Sequence, residues 1–448
     1  MESNRVESEC LAGIESWSWN RDYLQEWQLQ RFNAQLDAIL PQNVFYASKL
    51  RQAGMSTSDR LSSLDELAGW PLTSKQELID SASQQASGIS QHHTYPPISY
   101  SRMHRTSGTT GSPLLVFDTA MDWRWWSDTW QHVLQSADVG SDDRVFLAFS
   151  FGPFIGFWSA HQACVDRGAM VIPAGGLSTL ARLDFLRQSA ATIVCCTPSY
   201  ALHLAEVAQS QNFPLADLPV SRLIVAGEAG GSVASVKQRI ENTWQASVVD
   251  HAGATEIGPW GFGWQDRCGL HVIETSFIAE VLPLTSPFSD RHTPPNAQAS
   301  ADGIGELVLT SLGRYGVPVI RYRTGDLVNI KGTTSSVNDR CGFLWLPDGV
   351  LGRVDDMVTV RGVNLFPSSI ESFVRQVAGI GEFCVQVTRP SQLDHLAITV
   401  EGSSEAAQQL QKLLDQKLGL KTDVQCVQTG MLPRSDGKSR RWQDLRGA

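Results

Sequence analysis

A loop of hydroxyl-bearing and glycine residues is the stretch of this sequence whose types and spacing point most directly to chemistry. It runs from Thr106 to Pro113 and reads Thr-Ser-Gly-Thr-Thr-Gly-Ser-Pro, with Arg102, His104 and Arg105 shortly before it. Two glycines let the backbone turn where a β-carbon would obstruct it, so successive N–H groups and the hydroxyls can converge on an anion. The loop therefore predicts a phosphate site, although the same residue types also form ordinary solvated turns.

The loop does not match the lysine-containing P-loop of nucleotide-binding proteins. Gly437-Lys438-Ser439 ends like such a motif, but the glycine required five positions before Gly437 is Leu432. Because that glycine allows the tight turn around the phosphates, the P-loop interpretation is excluded.

Length and charge limit the classes of function. The chain has 448 residues, more than one core usually holds, so we expect at least two domains. Hydrophobic residues make up 42% and charged residues 18%, an ordinary globular composition. Acidic residues outnumber basic ones, 46 to 36, and the net charge of −10 disfavours binding to nucleic acid or an anionic membrane. Small-molecule chemistry is favoured.

The cellular compartment follows from the N-terminus and the cysteines. No apolar region follows Met1, and no apolar run approaches the length of a membrane span, so we expect a cytoplasmic protein. Cys195 and Cys196, two of eight cysteines, lie inside an apolar run. We therefore expect reduced, buried thiols and no disulfides.

Strands and helices alternate through the middle of the chain. Short apolar runs predict strands over 145–149, 169–173, 192–197, 222–226 and 247–251. Stretches of helical length lie between them, over 179–188, 199–209 and 232–245. This order predicts an α/β fold with a mostly parallel sheet, whose functional site lies beyond the carboxyl ends of the strands.

The flanking regions complete the fold prediction. Several short helices are expected over 15–70, a tryptophan-rich core helix over 119–137, a surface loop over 284–303, and strands over 306–310 and 317–322. Beyond Asp356 the order is strand 357–361, helix 367–377, strands 383–388 and 396–400, and helix 405–418. That order fits a small α+β unit.

Six ordered segments give the sequence a family resemblance. They are the loop at 106–113, Ala226 to Gly230, Asp250 to Glu256, Arg321 to Asp326, the span from Gly352 to Pro367, and Leu432 to Lys438. The segment Trp70 to Lys75 precedes them. In this combination the chain resembles the adenylate-forming enzymes, in particular their phenylacetate:coenzyme A ligase branch. The resemblance implies a large N-terminal domain over 1–354 and a small mobile C-terminal domain over 355–448.

The resemblance also implies a reaction in two stages. ATP and an aryl or arylacetic acid give an acyl adenylate and pyrophosphate, and the thiol of coenzyme A then displaces AMP. Magnesium is the implied metal and Glu256 its ligand, because a hard oxygen ligand suits that ion. Asp326 would bind the ribose hydroxyls with help from Arg353, and Lys438 would neutralise charge between the carboxylate and the α-phosphate.

The remaining implied roles are carried over position by position. The catalytic residues are Lys438, Glu256 and Thr255. The nucleotide-binding residues are Ser107, Gly108, Thr109, Thr110, Gly111, Gly227, Glu228, Ala229, His251, Ala252, Asp326 and Arg353. The acid-binding residues are Phe149, Phe151, Phe154, Ala226 and Gly253. Asp355 is the implied hinge, where the backbone rotates between the two stages.

Two positions depart from the family pattern. Ser112 stands where the loop commonly has a lysine, so Arg102 or Arg105 would have to supply the charge near the γ-phosphate. Ala252 stands where an aromatic residue normally stacks on adenine, and the lost stacking would weaken ATP binding by about 1 kcal/mol. We expect these changes to affect the affinity for ATP and the nucleotide preference rather than the reaction.

Several alternatives stay open at the level of sequence. Cys268, His271 and Cys341 raise the question of a zinc site, but three candidates fall short of the usual four ligands. The acyl group could instead be loaded onto the phosphopantetheine thiol of an acyl carrier protein. A binding module that has lost catalysis is the alternative from a different class, which Lys438 and Glu256 oppose. The sequence does not decide whether the protein is a homodimer.

Overall fold

The computed structural model describes residues 14–106, 113–149, 151–283, 303–330, 340–354, 356–361, 363–389, 393–434 and 441–446. Most of the predicted phosphate loop, from Ser107 to Ser112, lies outside the described residues, as do Asp355 and Lys438. In the described part of the chain, no helix combines the length and apolar character needed to cross a bilayer.

The bounds of the strands and helices before residue 355 are as follows. The strands are β1 (Arg102–Arg105), β2 (Leu115–Asp118), β3 (Arg144–Leu147), β4 (Met170–Pro173), β5 (Ile193–Cys196), β6 (Arg222–Ala226), β7 (Ser247–Ala254), β8 (Gly258–Trp264), β9 (Arg267–Val272), β10 (Phe277–Pro283), β11 (Ile304–Ser311), β12 (Tyr322–Asn329), β13 (Trp345–Leu346) and β14 (Val350–Arg353). The helices are α1 (Arg21–Ile39), α2 (Val44–Gln52), α3 (Lys75–Ser83), α4 (Ala120–Ser136), α5 (Ile155–Asp166), α6 (Thr179–Ser189), α7 (Pro198–Ser210) and α8 (Ala234–Trp244).

The largest sheet confirms the predicted α/β fold. Its order is β13-β9-β8-β7-β6-β5-β3-β4. The run from β4 to β7 is parallel, and β8, β9 and β13 extend it in antiparallel fashion. Since parallel strands end at the same edge, the residues after β3, β5, β6 and β7 share one border of the sheet.

Two further sheets lie in this part of the chain. Strands β10, β11, β12 and β14 form an antiparallel sheet in that order, and β1 pairs with β2 as a hairpin that brackets residues 107–112. The predicted strand over 317–322 is wrong, because only Tyr322 belongs to a strand. Val317, Val319 and Ile320 are buried in an irregular segment, so their apolar run reflects core packing rather than sheet pairing.

Local capping explains where the main helices begin. Thr119 caps α4 in a reciprocal pair with Asp122, and Thr197 caps α7, whose first residue is Pro198. Helix α1 is longer than the short helices predicted for this region, and its Phe32 joins a core cluster with residues of β10 and of the segment after β11.

The C-terminal unit has its own sheet and core. Its elements are β15 (Val358–Val360), β16 (Val363–Leu365), α9 (Pro367–Gln376), β17 (Phe383–Thr388), β18 (His395–Glu401), α10 (Ser404–Leu418), β19 (Asp423–Val427) and β20 (Trp442–Asp444). The sheet order is β19-β18-β17-β20, and Ile370, Val385 and Leu410 lie in a cluster separate from the large core. The predicted α+β order is confirmed, while the boundary at residue 355 stays a prediction.

The C-terminal unit contacts helix α8 of the large unit. Ser235 Oγ donates to the carbonyl of Ser372 at 3.2 Å, and Arg239 Nη1 donates to the carbonyl of Ile380 at 2.9 Å. These contacts fix one arrangement of the two units.

Candidate active site

The turn after β6 brings Gly227, Glu228 and Ala229 to the carboxyl border of the sheet. Gly227 has φ +93°, in the region that glycine favours. A β-carbon at Gly230 would lie 2.6 Å from Pro198 Cβ, so only glycine lets the turn pass the first residue of α7. Glu228 accepts a hydrogen bond from the Ser199 N–H at 2.8 Å. The Glu228 carboxylate therefore caps α7 and fixes the turn.

His251 lies on β7 opposite Ala226 and is buried. Its Nδ1 lies 2.8 Å from the Gly261 carbonyl, and its ring lies 4.2 Å from the ring of Trp130. Burial lowers the pKa of His251 to about 4. The imidazole is therefore neutral near pH 7, and Nδ1 carries the proton that the Gly261 carbonyl accepts.

The next two residues of β7 have little or no side chain. Ala252 pairs with Gly261 of β8, and a β-carbon at Gly261 would lie 3.3 Å from Ala252 Cβ. A β-carbon at Gly253 would lie 3.0 Å from the Gly258 carbonyl oxygen. The strand pair therefore fits closely here, with no aromatic surface at position 252.

Glu256 follows β7 and forms an ion pair with Lys75. Lys75 Nζ lies 2.7 Å from Glu256 Oε1, and the carboxylate side chain is only 8% exposed. Lys75 is the first residue of α3, where Ser74 and Glu77 form a capping box. Thr73, two residues before Lys75, forms backbone hydrogen bonds with Arg321 and Arg323 at the start of β12. Lys75 was named from the sequence as the end of the segment Trp70 to Lys75, but no role was predicted for it, because no sequence pattern links Lys75 to the distant Glu256.

A buried arginine also contacts the segment of Thr255 and Glu256. Arg314 Nη1 donates to the carbonyl of Thr255 at 3.1 Å and to that of Glu256 at 3.0 Å. Arg314 also pairs with Asp118 at 2.8 Å. No sequence signal identified either residue.

Asp326 and Arg353 are neighbours on paired strands. They face each other across β12 and β14, and Arg353 Nη1 lies 3.3 Å from Asp326 Oδ1. Gly325 has φ +75°, and a β-carbon there would lie 2.8 Å from Arg353 Nη2. The glycine between Thr324 and Asp326 therefore leaves room for the guanidinium. The two residues implied for ribose binding thus lie together.

The predicted acid-binding phenylalanines belong to a larger aromatic cluster after β3. Phe149 is buried against Phe157, with ring centroids 3.4 Å apart. Phe151 lies edge-on to Trp158 at 5.0 Å, whereas Phe154 is 40% exposed at the start of α5. Phe157 and Trp158 were missed from the sequence, although they follow Phe154 at the i+3 and i+4 positions of one helical face.

The segment that carries Lys438 is anchored at both sides. Before it, Arg434 Nη2 pairs with Glu401 at 2.7 Å and Arg434 Nε lies 3.4 Å from Glu206 of α7. After it, Arg441 pairs with Glu371 at 2.9 Å and also with Glu382. Burial lowers the pKa of Arg441, but these two carboxylates raise it further, above the usual arginine value. The position of Lys438 itself lies outside the described residues.

The carboxylate of Glu256 fits the role of a magnesium ligand. It already accommodates one cation, the Lys75 ammonium, although it is largely buried. Magnesium in nucleotide sites commonly takes one or two protein carboxylates together with phosphate oxygens and water. A complete protein cage is not needed, and among the described residues no group of three or more His, Cys, Asp or Glu is arranged to hold a metal.

The zinc question concerned Cys268, His271 and Cys341. His271 Nδ1 lies 3.0 Å from the Phe343 carbonyl, and its Nε2 lies 3.3 Å from Arg267 Nη2. Both ring nitrogens therefore face protein groups. Cys341 is buried, and burial raises the pKa of Cys268.

Comparisons with known proteins identify the family. Residues 362–446 match the model of the AMP-binding enzyme C-terminal domain. A phenylacetate-coenzyme A ligase of Escherichia coli (strain K12) is 30% identical over 443 residues, which cover 95% of each chain.

Solved structures of a 2-hydroxyisobutyryl-CoA ligase agree with this chain in fold. Its structure in the postadenylation state, in complex with 2-HIB-AMP, has a TM-score of 0.85 at 26% identity, covering 95% of this chain and 90% of that one. The thioesterification state of the same ligase, with 2-HIB-AMP and CoA, has a TM-score of 0.69 at 27% identity, covering 96% and 92%. The arrangement of units seen here is therefore nearer to the postadenylation state. The chain belongs to the phenylacetate-coenzyme A ligase family of adenylate-forming enzymes.

Proposed function

We propose that the protein activates an aryl or arylacetic acid as its acyl adenylate and transfers the acyl group to coenzyme A. Family membership gives the reaction type: the protein is an AMP-forming acid:coenzyme A ligase that uses ATP, Mg²⁺ and coenzyme A. The observation that carries the aromatic assignment is the cluster of Phe149, Phe151, Phe157 and Trp158 next to β3. It lies at the same border of the sheet as Glu256, so an apolar ring has a place near the reacting carboxylate.

The residues at the strand ends have separate roles in formation of the acyl adenylate. Glu256 would hold the metal, which would supply positive charge to offset that of the phosphates. Asp326 accepts hydrogen bonds from the ribose hydroxyls, and Arg353, 3.3 Å away, orients that carboxylate. Thr255 and the turn at Gly227 to Ala229 border the nucleotide, while Ala226 and Gly253 border the acid. These roles stay proposals for this chain.

The second stage requires a different arrangement of the two units. Lys438 neutralises charge between the carboxylate and the α-phosphate in the first stage, and rotation about Asp355 then exposes the adenylate to the thiol. The two TM-scores, 0.85 and 0.69, support this alternation, because one related ligase adopts both arrangements. The hinge at Asp355 and the boundary between 354 and 355 belong to this proposal.

Pyrophosphate release over a panel of acids tests the proposal. The panel pairs phenylacetate and benzoate with 2-hydroxyisobutyrate and acetate, and each acid is assayed with ATP and Mg²⁺. We expect AMP and pyrophosphate, with kcat/KM highest for an aromatic acid. Preference for 2-hydroxyisobutyrate would overturn the aromatic assignment alone, whereas ADP as product would overturn the reaction. Thioester formation with coenzyme A, compared with a phosphopantetheinylated carrier protein, decides the thiol.

A further inference from the structure

A fully buried ion pair lies beside the candidate metal ligand and has no role in the reaction described above. Arg314 donates to Asp118 Oδ1 from Nε at 3.0 Å and from Nη2 at 2.8 Å, and neither side chain is exposed. Burial raises the pKa of Asp118, but Arg314 and His104 lower it further, so the carboxylate stays ionised. Because burying two charges costs several kcal/mol before the pair forms, replacing such a pair with apolar residues is often neutral or stabilising. Stability alone therefore does not account for this pair.

Arg314 Nη1, which does not bind Asp118, explains why the Arg314–Asp118 pair lies beside Glu256. Nη1 donates to two consecutive carbonyls, those of Thr255 and Glu256, at 3.1 and 3.0 Å. The guanidinium is planar and rigid, so it fixes the orientation of both peptides. Fixing them sets the direction in which the Glu256 side chain leaves the backbone.

The loop that carries Arg314 is itself held in place. Trp125 Nε1 donates to the Leu312 carbonyl at 2.8 Å, the Gly313 N–H donates to Gln35 at 2.8 Å, and the Gly316 N–H donates to Asp122 at 3.0 Å. These contacts tie the loop to α1 and α4. Arg314 is therefore a fixed donor rather than a flexible surface side chain.

Asp118 connects this arrangement to the predicted phosphate loop. It is the last residue of β2, and β2 pairs with β1 across the bracketed residues 107–112. His104 of β1 stacks on Trp123, and its Nδ1 lies 3.9 Å from Asp118 Oδ2. One guanidinium thus bridges the hairpin of the phosphate loop and the backbone of Glu256.

We propose that Arg314 is a positioning residue, which fixes the direction of the Glu256 carboxylate relative to strand β2 so that this carboxylate can hold the metal. This inference rests on the proposed role of Glu256. Partners that orient metal ligands typically change metal affinity by about 10- to 100-fold when removed. Lysine at position 314 keeps the charge next to Asp118 but cannot span the carboxylate and two carbonyls at once.

Manganese binding tests the inference without relying on turnover. The full chain is mixed with a non-hydrolysable ATP analogue and titrated with Mn²⁺, and free Mn²⁺ is followed by electron paramagnetic resonance. We expect Arg314→Lys to weaken Mn²⁺ binding about tenfold or more. The matched control is Arg222→Lys, since Arg222 also binds one aspartate, Asp143, and two carbonyls, but at the opposite end of the parallel strands. Its Mn²⁺ binding should not change.

Thiolysis of a supplied acyl adenylate provides the second readout. Because the proposed metal role belongs to adenylate formation, Arg314→Lys should carry out this step at about the wild-type rate. The inference is overturned if Mn²⁺ binding is unchanged, or if both half-reactions fall by the same factor. If Arg314→Lys does not fold, the double variant Arg314→Met with Asp118→Asn removes both charges, and the same outcomes apply.

Glu256→Gln separates failure of this inference from failure of the proposed function. If Glu256→Gln weakens Mn²⁺ binding and Arg314→Lys does not, only the positioning role is wrong. If Glu256→Gln leaves Mn²⁺ binding unchanged, the metal-ligand role and the positioning role are both wrong.

Discussion

Lys75 Nζ lies 2.7 Å from Glu256 Oε1, which joins the first residue of α3 to the carboxylate that follows β7. The lysine is 37% exposed and the glutamate 8%, so one partner is accessible to solvent while the other is shielded. The Lys75 ammonium therefore compensates the charge of a buried carboxylate. A metal ion that binds Glu256 must displace it or share the carboxylate with it.

The first prediction follows from this competition for Glu256. Lys75→Met should lower the melting temperature, because the buried carboxylate loses its cation. Added Mg²⁺ should then raise the melting temperature of Lys75→Met more than that of wild type, because the competing ammonium is gone. The control is Lys49→Met, since Lys49 forms its ion pair with Glu77, which lies on the same helix as Lys75, instead of with Glu256. Differential scanning fluorimetry measures both effects, and equal Mg²⁺ shifts in all proteins would contradict the prediction.

The second prediction concerns the ribose. If Asp326 accepts hydrogen bonds from the ribose hydroxyls, wild type should prefer ATP to 2′-deoxy-ATP. A hydrogen bond to a charged group is worth about 1.5 to 3 kcal/mol, so Asp326→Ala should weaken ATP binding at least tenfold and reduce that preference. Isothermal titration calorimetry with both nucleotides measures it. Asp348→Ala is the control, because Asp348 accepts a hydrogen bond from the nearby Asn329 side chain. An unchanged preference in Asp326→Ala would remove Asp326 from the ribose site.

Much of the fold was predictable because its signals are local. The apolar runs over 192–197 and 222–226 correspond to strands β5 and β6. The predicted order of elements after residue 356 was also confirmed. The apolar run over 317–322 led to a wrong strand prediction, because an irregular segment can be as deeply buried as a strand. The antiparallel strands β8, β9 and β13 extend the sheet beyond what the alternating pattern indicated.

The contacts around the site were less predictable. Lys75 with Glu256, and Arg314 with Asp118, join positions far apart in sequence, and no periodicity marks such ion pairs. Asp326 with Arg353 was accessible through the family resemblance, which placed both residues at one nucleotide. Ion pairs between residues far apart in sequence are therefore identified only from the three-dimensional structure, whereas motif residues can be identified from the sequence.

The third prediction concerns the pH dependence of stability at Asp250. Burial raises the pKa of this carboxyl to about 7, although Ser232, the His251 N–H and Lys237 act in the opposite direction. The folded chain therefore holds a proton that the unfolded chain releases near pH 4, and the resulting stabilisation is lost as the pH rises through 7. At about 1.4 kcal/mol per pKa unit, the upper limit of this loss is about 4 kcal/mol.

Asp250→Asn removes this titration. Relative to Asp250→Asn, the free energy of unfolding of wild type should fall between about pH 4 and pH 7 and level off above that, as urea unfolding at several pH values will show. Asp184→Asn is the control, because Asp184 is exposed and pairs with the exposed Arg187 three residues along α6. A constant difference between wild type and Asp250→Asn would contradict the raised pKa.

The fourth prediction concerns acid preference. Phe151 is half-buried against Trp158, so Phe151→Ala should enlarge the apolar pocket and favour bulkier acids by about 1 to 3 kcal/mol in kcat/KM. Phe154→Ala should have a smaller effect, because that ring is 40% exposed. Phe213→Ala is the control for loss of a half-buried ring, since Phe213 contacts Arg187 instead. If the ranking of acids is the same in Phe151→Ala and Phe213→Ala, the cluster does not set preference.

The last prediction concerns the contact between α8 and the C-terminal unit. Arg239 Nη1 donates to the Ile380 carbonyl at 2.9 Å in an arrangement that resembles the postadenylation state, and the proposed rotation of the C-terminal unit would break this bond. A hydrogen bond from a charged donor contributes about 1.5 to 3 kcal/mol, so Arg239→Ala should shift the population of arrangements about tenfold toward the thioester-forming one. Acyl-adenylate formation should slow, because Lys438 faces the reaction less often, while thiolysis of a supplied acyl adenylate should be as fast as in wild type or faster. Single-turnover assays of each half-reaction measure the split, with Arg187→Ala as a surface control because Arg187 pairs with Asp184 on α6. Equal slowing of both half-reactions in Arg239→Ala would show that this contact stabilises the fold and does not bias the rotation.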